Sequence, residues 1–137
     1  MSYAFNYLTL HGPCNEKDYK YTALDGTCKA DNCEQKEYKL TGHVDIPRGN
    51  TAELAQALQL RAISVAVDAS NWSSYKSGVF GNCGSRLNHG VLLVGIDADQ
   101  NWRIKNSWGG RWGDSGFITL KSGNTCGIAD VANYPSI

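Results

Sequence analysis

Ile104-Lys105-Asn106-Ser107-Trp108-Gly109-Gly110-Arg111-Trp112-Gly113 decides how the rest of the chain is read. A short apolar and basic strand runs straight into an amide, a hydroxyl and an indole. Glycines, an arginine and a second indole follow. Glycine lets a backbone turn sharply beside bulky rings, and the two indoles make a wall that excludes water. Asn106 stands against that wall, where a side-chain amide must find a partner or destabilise the fold. An imidazole lies upstream, in Leu87-Asn88-His89-Gly90-Val91-Leu92-Leu93-Val94-Gly95. Its apolar run reads as a strand over 90–96, Asp97 to Asn101 as a turn, and Trp102 to Lys105 as the returning strand. Such a hairpin predicts His89 and Asn106 within hydrogen-bond reach across neighbouring strands, with Trp108 over them.

Working outward, residues 116–120 read as a further strand. Upstream, Ile63 to Val67 read as a buried strand, and 42–46 as a short one stopped by Pro47. Thr51 is the expected N-cap of a helix over Ala52 to Leu60. Residues 70–86, rich in Ser, Gly and aromatics, read as loop. At the front, Tyr3, Ala4, Tyr7, Leu8 and Leu10 suggest a helix over 2–11 ended by Gly12 and Pro13. Residues 13–40 then form a long polar loop with a turn at Asp25-Gly26. Helix and loop first, mostly antiparallel strands after, is an α+β pattern.

Length and composition narrow the function. The chain has 137 residues, which suits one domain. Lys+Arg 13 against Asp+Glu 13 gives a formal net charge of +0, which argues against a nucleic-acid footprint or a polybasic membrane patch. The apolar run near Val91 to Val94 is far too short to cross a bilayer, and Met1-Ser2-Tyr3-Ala4 has neither the basic start nor the apolar run of a signal peptide. Cys14, Cys28, Cys33, Cys83 and Cys126 form no Cys-x-x-Cys pair, which weakens zinc and thioredoxin-like readings; neither a metal nor a cofactor is expected. Single cysteines scattered through loops suit disulfides in an oxidising compartment, and an odd number leaves one over.

Asn88-His89-Gly90 leading an apolar strand, and Asn106-Ser107-Trp108-Gly109 ending the next, resemble the papain-like cysteine peptidases, the cathepsin L branch in particular. Met1-Ser2-Tyr3-Ala4-Phe5, Tyr21-Thr22-Ala23, Ile63-Ser64-Val65-Ala66-Val67-Asp68-Ala69 and Cys126-Gly127-Ile128-Ala129 match in order, so the resemblance runs along nearly the whole chain. It implies a papain-like fold: a right-hand antiparallel β-barrel half over 42–132, a remnant of the helical left-hand half over 1–41, and a C-terminal return segment over 133–137. It also implies protein or peptide substrates and a lysosomal, vacuolar or secreted location. One departure is large. The family's nucleophile lies in a Gln-Gly-x-Cys-Gly-Ser-Cys-Trp segment upstream of the Met1 match, and residues 1–137 contain no such segment.

A thiol attacks a peptide carbonyl well only as thiolate. An imidazolium stabilises that thiolate and later gives its proton to the leaving amine. By resemblance His89 fills this role, Asn106 orients it, and Trp108 shields their bond. A lone His opening an apolar strand is more often structural, and it is the company of Asn106 and Trp108 that singles out His89. His11 and His43 lack such company and read as solvated or structural. Trp72 and Trp112 read as packing, and Arg111 as solvent-facing. The resemblance places Met1, Ala66, Gly90 and Val131 around the pocket for the second residue before the scissile bond, and Asn88 as a backbone contact to substrate. That uncharged lining predicts Leu, Val or Phe in the pocket and no Arg preference. Cys83 and Cys126 match the family's late disulfide. Cys28 matches a cysteine whose partner lies upstream, so here it is free or paired to another chain. Cys14 and Cys33 have no standard counterpart, and an extra bridge between them stays open.

Three functions fit. The first is the latter part of a cysteine endopeptidase, inactive alone for want of the nucleophile, its helical face covered by the upstream part or another chain. The second is a non-catalytic homologue used for binding or as a structural part of an assembly. The third is a homologue with Ser in place of Cys, resembling the silicateins.

Overall fold

The computed structural model describes residues 1–34 and 40–137. Residues 35–39 of the expected 13–40 loop lie outside the described residues. The chain divides into two compact units, Met1–His43 with Pro135–Ile137, and Val44–Tyr134.

In the first unit, α1 spans Ser2–Leu10. It buries none of its side chains, and Tyr3 and Leu10 are 90% and 71% exposed. Its apolar residues therefore gain little from packing within this unit. Tyr7 stacks on His11 at 4.5 Å, and the His11 N–H closes the helix on the Tyr7 carbonyl. Cys14 and Cys33 are bonded, closing the loop between them. Cys28 is free and exposed.

The second unit carries most of a seven-stranded sheet, only the start of the first strand and the end of the last falling in the first unit. The strands of the sheet are β1 (Gly42–Ile46), β2 (Ile63–Val67), β3 (Val79–Phe80), β4 (His89–Ile96), β5 (Trp102–Lys105), β6 (Phe117–Leu120) and β7 (Ala132–Ser136), in the order β1-β7-β2-β4-β5-β6-β3. Alternation explains the core. Ile63, Val65 and Val67 of β2 point one way and are fully buried, while Ser64 and Ala66 between them are not. Leu93, Ile104, Ile118 and Leu120 of the neighbouring strands complete that face, and all are fully buried. Removing each from water contributes about 1.5–3 kcal/mol.

β2 pairs antiparallel with β4 and β7, and β5 with β4 and β6, while β3 lies parallel on β6. Residues 70–86 are thus not wholly loop. β4 and β5 carry a bulge between Leu93 and Gly95, where Val94 is an extra residue. Helix α2 (Thr51–Leu58) packs on β4 through Leu54 and Leu58, four residues apart on one face.

The cap of α2 is Asn50, not Thr51. The Asn50 side-chain oxygen accepts from the Glu53 N–H at 3.1 Å, and its amide donates to the Glu53 carboxylate at 3.0 Å. Gly49, at φ +76°, turns the chain into that position. Cys83 and Cys126 are bonded and tie the loop ahead of β4 to the turn ahead of β7. No helix among the described residues is long and apolar enough to cross a membrane.

Candidate active site

His89 opens β4, opposite Val67 of β2. The chain reaches it through a clasp. The Asn88 N–H donates to the Val67 carbonyl at 3.0 Å. The Asn88 side chain accepts from the Ala69 N–H and donates to the Ser70 hydroxyl, both at 2.9 Å. Beside it, the buried Asp68 carboxylate accepts from the backbone N–H groups of Ser70 at 3.1 Å and Arg86 at 3.2 Å. The Ser70 side chain and then its N–H hold the Asp68 carboxyl below its ordinary pKa, against the opposing pull of burial. Gly84 permits this approach, since a Cβ there would sit 2.8 Å from the carboxylate.

Asn106 follows directly on β5. The register Leu92↔Lys105, carried one step further, sets Asn106 opposite Val91 and diagonal to His89. Its N–H donates to the Gly116 carbonyl at 3.0 Å. That return requires Gly113, at φ +58°, where a Cβ would meet the Phe117 carbonyl at 2.6 Å.

His89 Nε2 lies 2.8 Å from Asn106 Oδ1. The Ser107 N–H donates to the same oxygen at 2.8 Å. A backbone N–H cannot donate to an NH2 group, so this bond fixes which way the amide points. It follows that Nε2 carries a proton and donates it, leaving Nδ1 of a neutral imidazole unprotonated. The Trp108 ring stacks on the His89 ring at 5.0 Å and 28°, with 42% of the residue still exposed. Asn106 itself is buried.

Behind these stand Trp72 and Trp112. Trp72 is fully buried, meets His89 edge-on at 6.2 Å, and touches both Trp108 and Trp112. Trp108 and Trp112 pack edge to face at 5.1 Å. The Trp72 and Trp112 indole N–H groups and the Asn106 amide N–H have no acceptor among the described residues, so ring packing holds this wall. Sequence reasoning saw Trp72 only as packing. Its place under His89 had no signal in the sequence, because it depends on folding the 70–86 loop back under the hairpin.

Ala66 pairs with Gly90 across β2 and β4, and the Ala66 N–H donates to the Val131 carbonyl at 2.9 Å. Ala66, Gly90 and Val131 therefore lie side by side next to His89, and a Cβ on Gly90 would meet nothing within 4 Å. Met1 belongs to the first unit and is partly exposed. A surface concavity lined by Tyr19, Tyr21 and Leu24 in the first unit includes none of the residues above. Among the described residues no cluster of His, Cys, Asp and Glu is arranged to hold a metal.

The model of the papain family of cysteine proteases matches residues 1–136. The chain belongs to that family. Cathepsin L 2 of Paramecium tetraurelia is 48% identical over 135 residues, covering 98% of this chain and 42% of that protein. Cathepsin L 1 of the same organism is 47% identical over the same shares. The chain thus spans about two fifths of the length of these papain-family relatives. Among solved structures, the bromelain protease of Ananas comosus in complex with the E64 inhibitor superposes with a TM-score of 0.88 at 38% identity, over 99% of this chain and 68% of that one. Digestive procathepsin L 3 of Tenebrio molitor gives 0.87 at 37% identity, over 100% and 48%. The papain-like fold is that of these neighbours, and this chain has its β-rich half.

Proposed function

We propose that this chain carries the proton-transfer half of a cysteine endopeptidase centre. The observation that carries the reading is the His89–Asn106 hydrogen bond beneath the Trp108 ring. Asn106 holds the imidazole by Nε2 and turns Nδ1 toward the reacting thiol. The thiol gives its proton to Nδ1, and the thiolate attacks the peptide carbonyl carbon. As the C–N bond breaks, Nδ1–H protonates the leaving amine. Water then gives a proton to Nδ1 and attacks the thioester, releasing the acid and restoring the thiol. Through both steps Nε2–H stays on Asn106, and the indole keeps competing water off that bond.

The thiol is not among the bonded cysteines of this chain, and Cys28 answers by resemblance to a family cysteine whose partner lies upstream. The family resemblance puts the reacting thiol in a segment outside residues 1–137, so we read the isolated chain as inactive. On this reading residues 1–41 are what remains of the helical half, 42–132 the barrel half and 133–137 the return segment. Ala66, Gly90 and Val131 line a pocket for Leu, Val or Phe, and Asn88 supplies backbone contact to substrate. Two disulfides fit a lysosomal, vacuolar or secreted setting.

The test is the longest reading frame of the source gene, expressed and assayed on a fluorogenic peptide with Leu or Phe at that position. A cysteine upstream and turnover that falls about 10²–10⁴-fold in His89→Ala support the reading. A serine there moves it to the silicatein-like alternative. Turnover indifferent to His89→Ala overturns it, and steady His89-dependent cleavage by residues 1–137 alone overturns the predicted inactivity.

A further inference from the structure

Beyond Trp108 lies a strip that the proposed mechanism does not use. Gly109 and Gly110 are exposed, and a Cβ on either would meet nothing within 4 Å. The strip is therefore bare backbone, open from above. It ends at Arg111, which is exposed. Three other arginines of this unit are engaged through their guanidinium groups, whereas Arg86 is held, among the described residues, only by its backbone N–H on Asp68. Arg48 pairs with Asp130 at 3.5 Å, Arg103 pairs with Asp114 at 2.7 Å and lies over Phe117, and Arg61 lies over Tyr134 at 4.7 Å. Among the described residues Arg111 has no such partner. Asp114, the nearest acid along the chain, is already held by Arg103. Lys105, on the strand leading into this turn, is exposed and adds to the positive field.

The sheet order gives the strip its direction. β2 and β5 flank β4 on opposite sides. Ala66 and Val131 lie on the β2 and β7 side of His89, and Trp108 to Arg111 on the β5 side. A peptide with its acyl part over Ala66, Gly90 and Val131 and its scissile bond at His89 continues across Trp108 and the two glycines toward Arg111. Arg111 then faces the part of the substrate that departs as the amine. A guanidinium is a planar fork that matches a carboxylate in two parallel hydrogen bonds.

We propose that Arg111 is a specificity-determining residue that recognises a carboxylate on the leaving-group side of the substrate, across the Trp108–Gly110 strip. The proposal rests on the active-site reading above. The carboxylate is either an Asp or Glu side chain or the free C-terminus of the substrate.

The test uses residues 1–137 and four leaving-group mimics: Ala-Asp-NH2, Ala-Ala with a free carboxylate, Ala-Ala-NH2 and Ala-Lys-NH2. Binding is read from the Trp108 indole N–H resonance during titration. At least one carboxylate peptide is expected to bind roughly two- to fivefold tighter than Ala-Ala-NH2, and Ala-Lys-NH2 weaker, as befits one exposed charge pair. The gap is expected to shrink in 0.5 M salt, to vanish in Arg111→Gln and to reverse in Arg111→Glu. A gain confined to Ala-Asp-NH2 assigns the site to an internal acidic residue, and one confined to free Ala-Ala assigns it to a chain end. Equal affinity for all four peptides, or a gap unchanged in Arg111→Gln, overturns the role of Arg111 and leaves the active-site reading standing. No movement of the Trp108 resonance with any peptide overturns both.

Discussion

Removing the Cys83–Cys126 bond tests how the site is held. The two cysteines are 43 residues apart in sequence, and the bond joins the loop ahead of His89 to the turn ahead of β7. In the chain-entropy account, closing a loop of that size costs the unfolded chain roughly 13 cal/mol/K, or about 4 kcal/mol at 25 °C. A domain's whole net stability is about 5–15 kcal/mol, so the loss is a large share of it. The native side also matters. The Asp68 N–H donates to the Cys126 carbonyl at 2.8 Å, and Cys126 sits at φ +57°. The bond thus helps hold a strained turn against the end of β2, two strands from Asn106. We expect the Cys83→Ala/Cys126→Ala double variant to lose about 3–4 kcal/mol in urea titration followed by tryptophan fluorescence. With a urea slope of about 1.5 kcal/mol/M, the midpoint falls by roughly 2–3 M. The Cys14→Ala/Cys33→Ala variant, with a 19-residue separation in the first unit, serves as the comparison and should leave the second unit's transition in place. A loss below about 1 kcal/mol in the first variant, with an unchanged urea slope, would refute the loop-entropy reasoning.

Asn106→Ala should relax His89 from a fixed Nε2–H tautomer to the mixture of an unrestrained imidazole, in which Nε2–H is favoured and Nδ1–H is also populated, seen in 15N spectra of the imidazole while the hairpin amide pattern is kept. An Nε2–H tautomer held as completely as in the wild type would mean that another acceptor sets it. The lowered Asp68 pKa carries a sign. Its contribution is present above the unfolded carboxylate value of about 3.9 and is lost as pH falls through the folded value below it. The stability difference between the wild type and Asp68→Asn should therefore be full at pH 6 and shrink as pH drops below about 4, with a difference that grows on acidification counting against the clasp. Asn50→Ala should cost about 1 kcal/mol, and Thr51→Ala much less, in thermal or urea melts of the same chain.

The hairpin was the most legible part of this fold, and the reason is local. His89 and Asn106 are 17 residues apart, the turn between them carries its own signal in Asp97 and Asn101, and an apolar run marks the strand ahead of it. What escaped was non-local. β3 is two residues long and finds its partner in β6, some 40 positions downstream, in a parallel pairing that no turn announces. β7 contains Asn133 and Pro135, which break the apolar alternation that marks a strand. The cap of α2 was displaced by one residue because Asn50 and Thr51 are both good caps, and only the Gly49 turn decides between them. Asn88 was read as a backbone contact to substrate. Its side-chain clasp onto Ala69 and Ser70 depends on β2 and β4 being neighbours.

The bulge at Val94 sets the reading frame between the two strands. With Val94 outside the ladder, Leu93 faces Ile104 and both are buried. Were Val94 drawn in opposite Ile104, every residue ahead of it would slide one place along β5. Leu92 instead of Val91 would then face Asn106, and the imidazole would lose its diagonal neighbour. The distance between the two functional groups is therefore kept by a residue that touches neither of them. Insertions at the tip of the hairpin, near Ala98 and Asp99, leave this frame intact. A single insertion between His89 and Leu93, or between Ile104 and Asn106, breaks it.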